Sequence, residues 1–327
     1  MTNKAQDFLK YIGKKIHASI EKNAWVFAFE VAIMWVILAF FGPGGDDLYR
    51  YYIPFQNGCD TCGFVPFFAR WFLWPLALLP AYPWSWGIWV LISLGIFLLL
   101  IKWTKVNPFL FIVSMPLFGQ LWLGQIDWLI ALGLLILLFV KNDFLRGFGL
   151  LLALVKPQLT FLAIIVLLVQ ERPRNLAKIA VIPALALLLS LQIFGLNWIQ
   201  RWIENAMISL PPHQWRLAGM DIWRYGIFLI WVPFLFKERR MRVAVGLMIS
   251  SIATPFFGVY SYVLFLMLVL PSWTVPLSYA WILGAFWFGE DAMRLAWILP
   301  LTLVGWSVYQ AYWAEKLFLF GPSSGHD

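Results

Sequence analysis

The sequence predicts an all-α membrane protein that crosses the bilayer many times, and three observations carry this prediction. Of its 327 residues, 62% are hydrophobic and 12% are charged, whereas a soluble domain carries about 25% charged residues. Apolar stretches recur from residue 25 to residue 313, too many for a single anchor. These stretches are continuous, whereas the strands of a transmembrane β-barrel alternate. We expect roughly 10 to 13 transmembrane helices, with a long first outer loop and a hairpin of short helices.

The first 24 residues are basic and polar, and we expect them on the cytoplasmic side. They lack the apolar stretch and cleavage site of a signal peptide. Leu9, Ile12, Ile16 and Ile20 recur at helical spacing among lysines, which fits an amphipathic helix on an anionic leaflet or a solvated tail. Residues 316–327 are set aside as a disordered tail or a cloning remnant.

Short basic clusters between the apolar stretches set the predicted orientation. Such clusters mark the cytoplasmic side of a membrane protein. They account for the net charge of +8, which therefore does not indicate nucleic-acid binding. The clusters are the N-terminal lysines, KWTK (102–105), KNDFLR (141–146), ERPRNLAK (171–178) and KERRMR (237–242).

Between these clusters the chain is predicted to form one transmembrane domain, residues 25–315. A long outer loop follows the first span at 42–84, and a tryptophan-rich outer loop lies at 195–224. The predicted spans are 25–41, 85–101, 107–119, 126–140, 177–194, 225–236, 243–254, 259–271, 275–288 and 295–313.

The stretch 147–170 is predicted to form a hairpin. Both of its ends adjoin basic clusters, yet it is too short for two full spans of about 20 residues each. Lys156 precedes Pro157 in its middle, and a residue before proline is biased away from helix. We therefore expect two short helices with Lys156 at the tip, facing the outer half of the protein. A lysine that snorkels from one simple helix is the alternative.

Polar side chains collect at three places that this topology puts on the outer face. They are the Asp46-Asp47 pair, the turn with Gln120, Gln125 and Asp127, and Lys156. An ionisable group in a span costs about 2.5–3.5 kcal/mol at the helix centre, so such residues are functional candidates by default. A carboxylate can act as a general base, and a lysine can stabilise developing phosphate charge. The alternative is that Asp46 and Asp47 form only the solvated end of a helix.

Cys59 and Cys62 lie in the first outer loop, where oxidising conditions permit a disulfide. A Cys-x-x-Cys pair can also bind zinc, but zinc needs two more ligands, and no second cysteine pair exists. We favour a local disulfide or two free thiols over a metal site. No phosphate-binding P-loop is present, because GPGG (42–45) lacks the following lysine.

Several short motifs resemble those of glycosyltransferase family 87, the polyprenol-phosphate-dependent transferases with the GT-C fold. DLYRYY (47–52) is similar to that family's D-[F/L]-x-x-Y segment, and GQID (124–127) to its G-Q-x-[N/D] turn. The Lys156-Pro157 break and TPFFGVYSYVLFLMLVLP (254–271) resemble its K-P break and its late region. The resemblance covers most of the chain in layout, although its motifs are short.

The resemblance implies a role for each matching residue. Asp47 would be the general base, with Asp46 as its neighbour and possible substitute, and Lys156, helped by Arg50, would hold the donor phosphate. The substrate cavity would be lined by Tyr51, Gln125, Asp127, His213, Tyr260 and Tyr262. The family commonly carries a histidine in the late loop, where this chain has Tyr260, Ser261 and Tyr262. His213 would compensate, or the protein would be an atypical or inactive member.

The implied function is transfer of a sugar, expected to be mannose, from a polyprenyl-phosphate donor to an acceptor with inversion. The acceptor would be a glycan, glycolipid or protein on the outer face of the plasma membrane. Neither a cofactor nor a metal is expected, although Asp46 and Asp47 could recruit a metal. Two alternatives stay open: a non-catalytic membrane subunit that retains the scaffold and binds complex partners, and a lipid or solute transporter.

Overall fold

The fold is helical throughout the part of the chain that the computed structural model describes, residues 2–62, 64–208, 222–254 and 257–317. Within these ranges no β-strand forms, and the one antiparallel bridge joins Phe236 and Leu317. The predicted all-α fold class is confirmed. The α-helices are α1 Thr2–Phe41, α2 Ile53–Gln56, α3 Arg70–Leu73, α4 Trp84–Thr104, α5 Pro108–Ile112, α6 Met115–Leu123, α7 Asp127–Phe139, α8 Asp143–Ala153, α9 Pro157–Leu168, α10 Pro173–Phe194, α11 Trp198–Ile208, α12 Trp223–Gly226, α13 Arg239–Ala253, α14 Val263–Leu266, α15 Thr274–Ser278, α16 Ala280–Phe288 and α17 Ile298–Trp313.

Tighter helical segments complete the described backbone. A π-helical turn covers Leu48–Tyr52, between α1 and α2. The 3₁₀ segments are Phe67–Ala69, Trp74–Leu78, Ile227–Leu229, Val232–Leu235, Val259–Tyr262 and Gly289–Trp297.

Four helical stretches in the described ranges are long and apolar enough to cross a membrane. They are Lys22–Phe41, Trp84–Thr104, Pro173–Phe194 and Asp291–Trp313. Five shorter apolar stretches accompany them: Phe67–Leu78, Asp127–Phe139, Pro157–Leu168, Arg224–Leu235 and Thr274–Phe288. A helix needs about 20 residues to span the hydrocarbon core, so the predicted total of 10 to 13 crossings does not follow from helix length alone and stays a prediction.

Several of the predicted spans are divided in the structure; 275–288, for example, is divided at Tyr279 between α15 and α16. The stretch 107–119 becomes α5 and the start of α6, because Pro116 can sit only in the first turn of a helix and Asn107 and Ser114 stand at the two helix starts. The stretch 259–271 holds only a 3₁₀ turn and the four residues of α14. The outer loop predicted at 195–224 contains α11.

The predicted hairpin at 147–170 is confirmed. α8 ends at Ala153, Lys156 takes the non-helical φ/ψ of −134°/78°, and Pro157 begins α9. Thr160 Oγ1 donates to the Ala153 carbonyl across the break at 2.9 Å. Glu171, beyond the end of α9, pairs with Arg146 at the start of α8. The chain therefore reverses at Lys156, which occupies the tip.

α7 and α8 approach so closely that their backbones touch. A Cβ at Gly133 of α7 would lie 2.5 Å from the Gly149 carbonyl oxygen and 2.7 Å from the Ala153 nitrogen. On the reciprocal side, a Cβ at Gly149 would lie 2.8 Å from the Gly133 oxygen. Small residues permit this approach between helices in a membrane. The contact brings Asp127, the first residue of α7, near Lys156, just past the end of α8.

A methyl group at this contact should therefore destabilise the fold. We expect Gly133→Ala to lower the free energy of unfolding by about 1–3 kcal/mol, because the clashing atoms are backbone and cannot move aside. Gly95→Ala in α4 is the matched control: its Cβ would meet nothing within 4 Å, so it should gain roughly 0.5–1 kcal/mol. Unfolding in mixed micelles measures both, and equal stability of the two variants would contradict the packing argument.

Candidate active site

The segment after α1 is held against α4 and α6 by close glycine contacts. A Cβ at Gly44 would lie 2.1 Å from the Trp86 ring, so only glycine fits there. Gly45 has φ +79° and its nitrogen donates to the Trp122 carbonyl at 2.7 Å. The Tyr49 hydroxyl accepts from the Trp86 backbone nitrogen at 3.1 Å. These contacts fix the π-helical turn Leu48–Tyr52 and the carboxylate just before it, Asp47.

Gln125 connects this segment to the tip of the hairpin. It follows Gly124, whose φ of +71° ends α6, and its side chain is buried. Its Nε2 donates to Asp47 Oδ2, while its Oε1 accepts from the Tyr52 hydroxyl at 2.6 Å and from Lys156 Nζ at 2.7 Å. The amide therefore faces a carboxylate with its nitrogen and two donors with its oxygen, an arrangement that fixes its orientation.

Lys156 is a buried cation with a buried counter-ion. Its Nζ lies 2.6 Å from Asp127 Oδ1, and the other oxygen of Asp127 accepts from Ser261 Oγ at 2.5 Å. The Tyr52 and Tyr260 rings lie 5.7 and 5.6 Å from Nζ, within the range of cation–π attraction. The site thus combines a charge pair, an amide bridge and two aromatic walls.

Asp46 and Asp47 lie in different environments although they are adjacent in sequence. Burial raises the pKa of the Asp47 carboxyl to about 6; the Lys156 charge opposes this rise and the Asp46 charge adds to it. Asp46 is 53% exposed and pairs at 3.2 Å with Arg50, itself 62% exposed. An exposed pair of this kind contributes little to stability. Of the two adjacent carboxylates, Asp47 is the one that is partly buried and contacts the polar network.

The structure brings together five of the residues that the sequence singled out: Asp47, Gln125, Asp127, Lys156 and Tyr260. Among the described residues, four others that the resemblance assigned to the site do not reach this network: Asp46, Arg50, Tyr51 and Tyr262. Arg50 pairs with Asp46 at the exposed edge of the site. The Tyr51 ring packs on Phe64, with centroids 4.9 Å apart. His213 lies outside the described residues.

Tyr262 is the fourth, and the 3₁₀ turn Val259–Tyr262 explains its position. Tyr260 and Ser261 reach Lys156 and Asp127, whereas the Tyr262 ring packs on Phe257 and Phe265. Tyr262 also lines a separate cavity of about 50 Å³ with Trp281.

Sequence reasoning missed Tyr52 and Ser261 as members of the site. Tyr52 is the last tyrosine of the DLYRYY motif, and Ser261 stands between the two late-loop tyrosines that were named. The only sequence feature that pointed to Tyr52 and Ser261 was their position next to named residues in the two motifs. The structure adds them through single hydrogen bonds, to Gln125 and to Asp127.

Within the predicted outer loop, a disulfide joins Cys59 and Cys62, one of the two alternatives that the sequence favoured. Asp60, between them, accepts from Arg70 at 2.8 Å and from Arg201 at 3.0 Å. The Trp202 indole of α11 donates to the Phe64 carbonyl at 3.1 Å. The loop thereby binds α11 to the segment after the site.

Among the residues that the structure describes, no three His, Cys, Asp or Glu side chains form a group able to hold a metal ion. The described site offers a partly buried carboxylate, Asp47, with a pKa of about 6, linked through Gln125 to the buried cation Lys156. Such a carboxylate can take a proton from a hydroxyl at physiological pH.

Comparison with known proteins identifies the family. A search of curated proteins and a search of solved structures each gave no match. The model of glycosyltransferase family 87 matches residues 65–317, a range that contains Gln125, Asp127, Lys156 and Ser261, while Asp47 precedes it. Because this match covers most of the chain, the protein belongs to glycosyltransferase family 87.

Proposed function

We propose that the protein transfers a sugar from a polyprenyl-phosphate carrier to a hydroxyl acceptor, with inversion at the anomeric carbon. The family supports a membrane glycosyltransferase in general. Mannose is the sugar that the motif resemblance favours. The observation that carries the mechanism is the connection of Asp47, a partly buried carboxylate with a pKa of about 6, to the buried cation Lys156 through Gln125.

Asp47 acts as the general base in this proposal. The acceptor oxygen attacks the anomeric carbon while its proton passes to the Asp47 carboxylate. Gln125 occupies Oδ2, so Oδ1 is the oxygen that takes the proton. The bond between the anomeric carbon and the phosphate oxygen breaks, and the carrier phosphate leaves with the bonding electrons. Attack on the face opposite the leaving group inverts the configuration.

Lys156 supplies positive charge to the leaving phosphate. A buried cation is worth more to a developing anion than an exposed one, because the surrounding protein screens it less than water does. Arg50, exposed at the rim, would meet the phosphate on its way in. The Tyr52 and Tyr260 rings beside Lys156 offer flat walls to the sugar.

The site is proposed to face outward from the plasma membrane, with the N-terminus cytoplasmic. Arg146, Glu171 and Arg239 meet at the opposite end of α7 and α8, where Arg239 Nη2 lies 2.8 Å from Glu171 Oε1. These residues belong to the basic clusters that the positive-inside rule assigns to the cytoplasm. The acceptor would be a glycan, glycolipid or protein on the outer side.

A transfer assay tests the function. The purified protein in lipid nanodiscs is given polyprenyl-phosphate donors with different labelled sugars and a panel of hydroxyl acceptors. We expect labelled product and free polyprenyl phosphate in equal amounts, with the anomeric configuration reversed. Absence of transfer from every carrier-linked sugar, with stoichiometric co-purification of another membrane protein, would support the non-catalytic subunit instead.

The pH dependence follows from the state of Asp47. Because the base must be ionised, kcat/KM should rise about tenfold per pH unit below the pKa and level off above a pH of about 6. Asp46→Asn should move the midpoint to lower pH, since the Asp46 charge raises the Asp47 pKa. A profile that falls through this range would contradict the assignment of Asp47 as the base.

A further inference from the structure

Two of the three N–H donors of the Lys156 ammonium are already directed at acceptors before any substrate binds. Its Nζ lies 2.6 Å from Asp127 Oδ1 and 2.7 Å from Gln125 Oε1, and all three side chains are buried. A phosphate that is to use this cation must therefore share it with Asp127 or displace Asp127 from it. The Asp127 carboxylate already contacts the cation that the phosphate would have to contact.

Asp127 has support that does not depend on Lys156. Ser261 Oγ donates to its Oδ2 at 2.5 Å. Asp127 is also the first residue of α7, a helix of 13 residues, and the positive end of the helix dipole favours a carboxylate there. The Asp127 charge can thus be retained when Lys156 turns to another anion.

The net charge around Lys156 determines how strongly this competition affects phosphate binding. Asp47, Asp127 and Lys156 sum to one negative charge when both carboxylates are ionised. An anionic phosphate therefore approaches a site whose cation is already neutralised, and like charges in a buried site repel strongly. Removing the charge of Asp127 would leave Lys156 free to balance the phosphate.

We propose that Asp127, supported by Ser261, is a resident counter-ion that competes with the carrier phosphate for Lys156. It is a positioning residue, acting through Lys156, and its effect is to weaken phosphate binding so that the spent carrier leaves. The inference rests on the proposed function, because it takes the phosphate-bearing carrier as the ligand.

Binding of a fluorescent polyprenyl phosphate that carries no sugar tests this role without any transfer reaction. We expect Asp127→Asn to bind the probe about tenfold more tightly than wild type, since one like charge is gone. Asn keeps an oxygen for Ser261, and Lys156 keeps Gln125. Ser261→Ala should weaken probe binding. Asp127 then loses the hydrogen bond from Ser261 and holds more strongly to Lys156. Asp291→Asn removes an exposed carboxylate that is distant in sequence, and it is the control for loss of one negative charge.

In the transfer assay Asp127→Asn should lower both the donor KM and kcat, because the product carrier is released slowly. A merely structural role predicts weaker probe binding in both variants. That outcome, or equal affinity of Asp127→Asn and wild type, would overturn the inference while the proposed function stands. No binding of the probe to wild-type protein would overturn the carrier assignment, and this inference with it.

Discussion

Replacing Asp47 by asparagine should reduce sugar transfer by about 10²–10⁴-fold, the range typical of a lost general base. Asn has the same shape and can still accept from Gln125 through its oxygen, but it cannot take a proton from the acceptor hydroxyl. The loss should appear in kcat, with donor binding little changed. Initial rates of labelled-sugar transfer in nanodiscs measure it.

Asp46→Asn is the matched control for this variant. It removes a carboxylate one residue away, but that carboxylate is exposed and contacts Arg50 at the rim. We expect its rate to stay within a few-fold of wild type above neutral pH. Wild-type rates for both variants would show that neither carboxylate is the base, and a larger loss for Asp46→Asn would reverse the assignment.

Replacing Lys156 by alanine should have the largest effect on stability, about 3–5 kcal/mol, because it leaves a buried carboxylate without its counter-ion. Within the described parts of the chain, Ser261 would be the remaining side-chain donor to the Asp127 carboxylate. Binding of the carrier phosphate should be lost as well. Unfolding in mixed micelles and probe binding measure the two effects separately.

Two comparisons separate the charge pair from loss of packing. The double variant Lys156→Met with Asp127→Asn removes both charges and keeps an acceptor for Ser261, so stability should return while transfer does not. Lys178→Ala removes an exposed lysine that lies 3.8 Å from Asp143, and it should cost less than about 1 kcal/mol. If Lys156→Ala were as stable as Lys178→Ala, the buried pair would contribute nothing.

The fold class and part of the site could be predicted because they depend on simple physical rules. Continuous apolar stretches indicate helices in lipid, where the backbone must satisfy its own hydrogen bonds. Proline after Lys156 predicted the break that the structure has at the hairpin tip. Placing Asp47, Gln125 and Lys156 on one face anticipated that they meet.

The remaining members of the site depend on local rotation of the backbone, which composition does not encode. In the π-helical turn it is Tyr52 that reaches Gln125, while Tyr51 packs on Phe64. In the 3₁₀ turn Tyr260 and Ser261 point to the ion pair while Tyr262 points away from it. Adjacent residues of the same type cannot be distinguished until the turn geometry is known.

The backbone contact between Gly133 and Gly149 has a consequence for how the site can move. Asp127 begins α7, Lys156 follows α8, and the backbones of the two helices are in direct contact. We therefore expect the backbone of this half of the site to shift little when a substrate binds, while the side chain of Lys156 can still turn. Adjustment to a sugar of different shape falls to the opposite walls, the turns Leu48–Tyr52 and Val259–Tyr262. Variation of substrate preference within such a scaffold should accordingly arise in those two turns and leave the glycine contact unchanged.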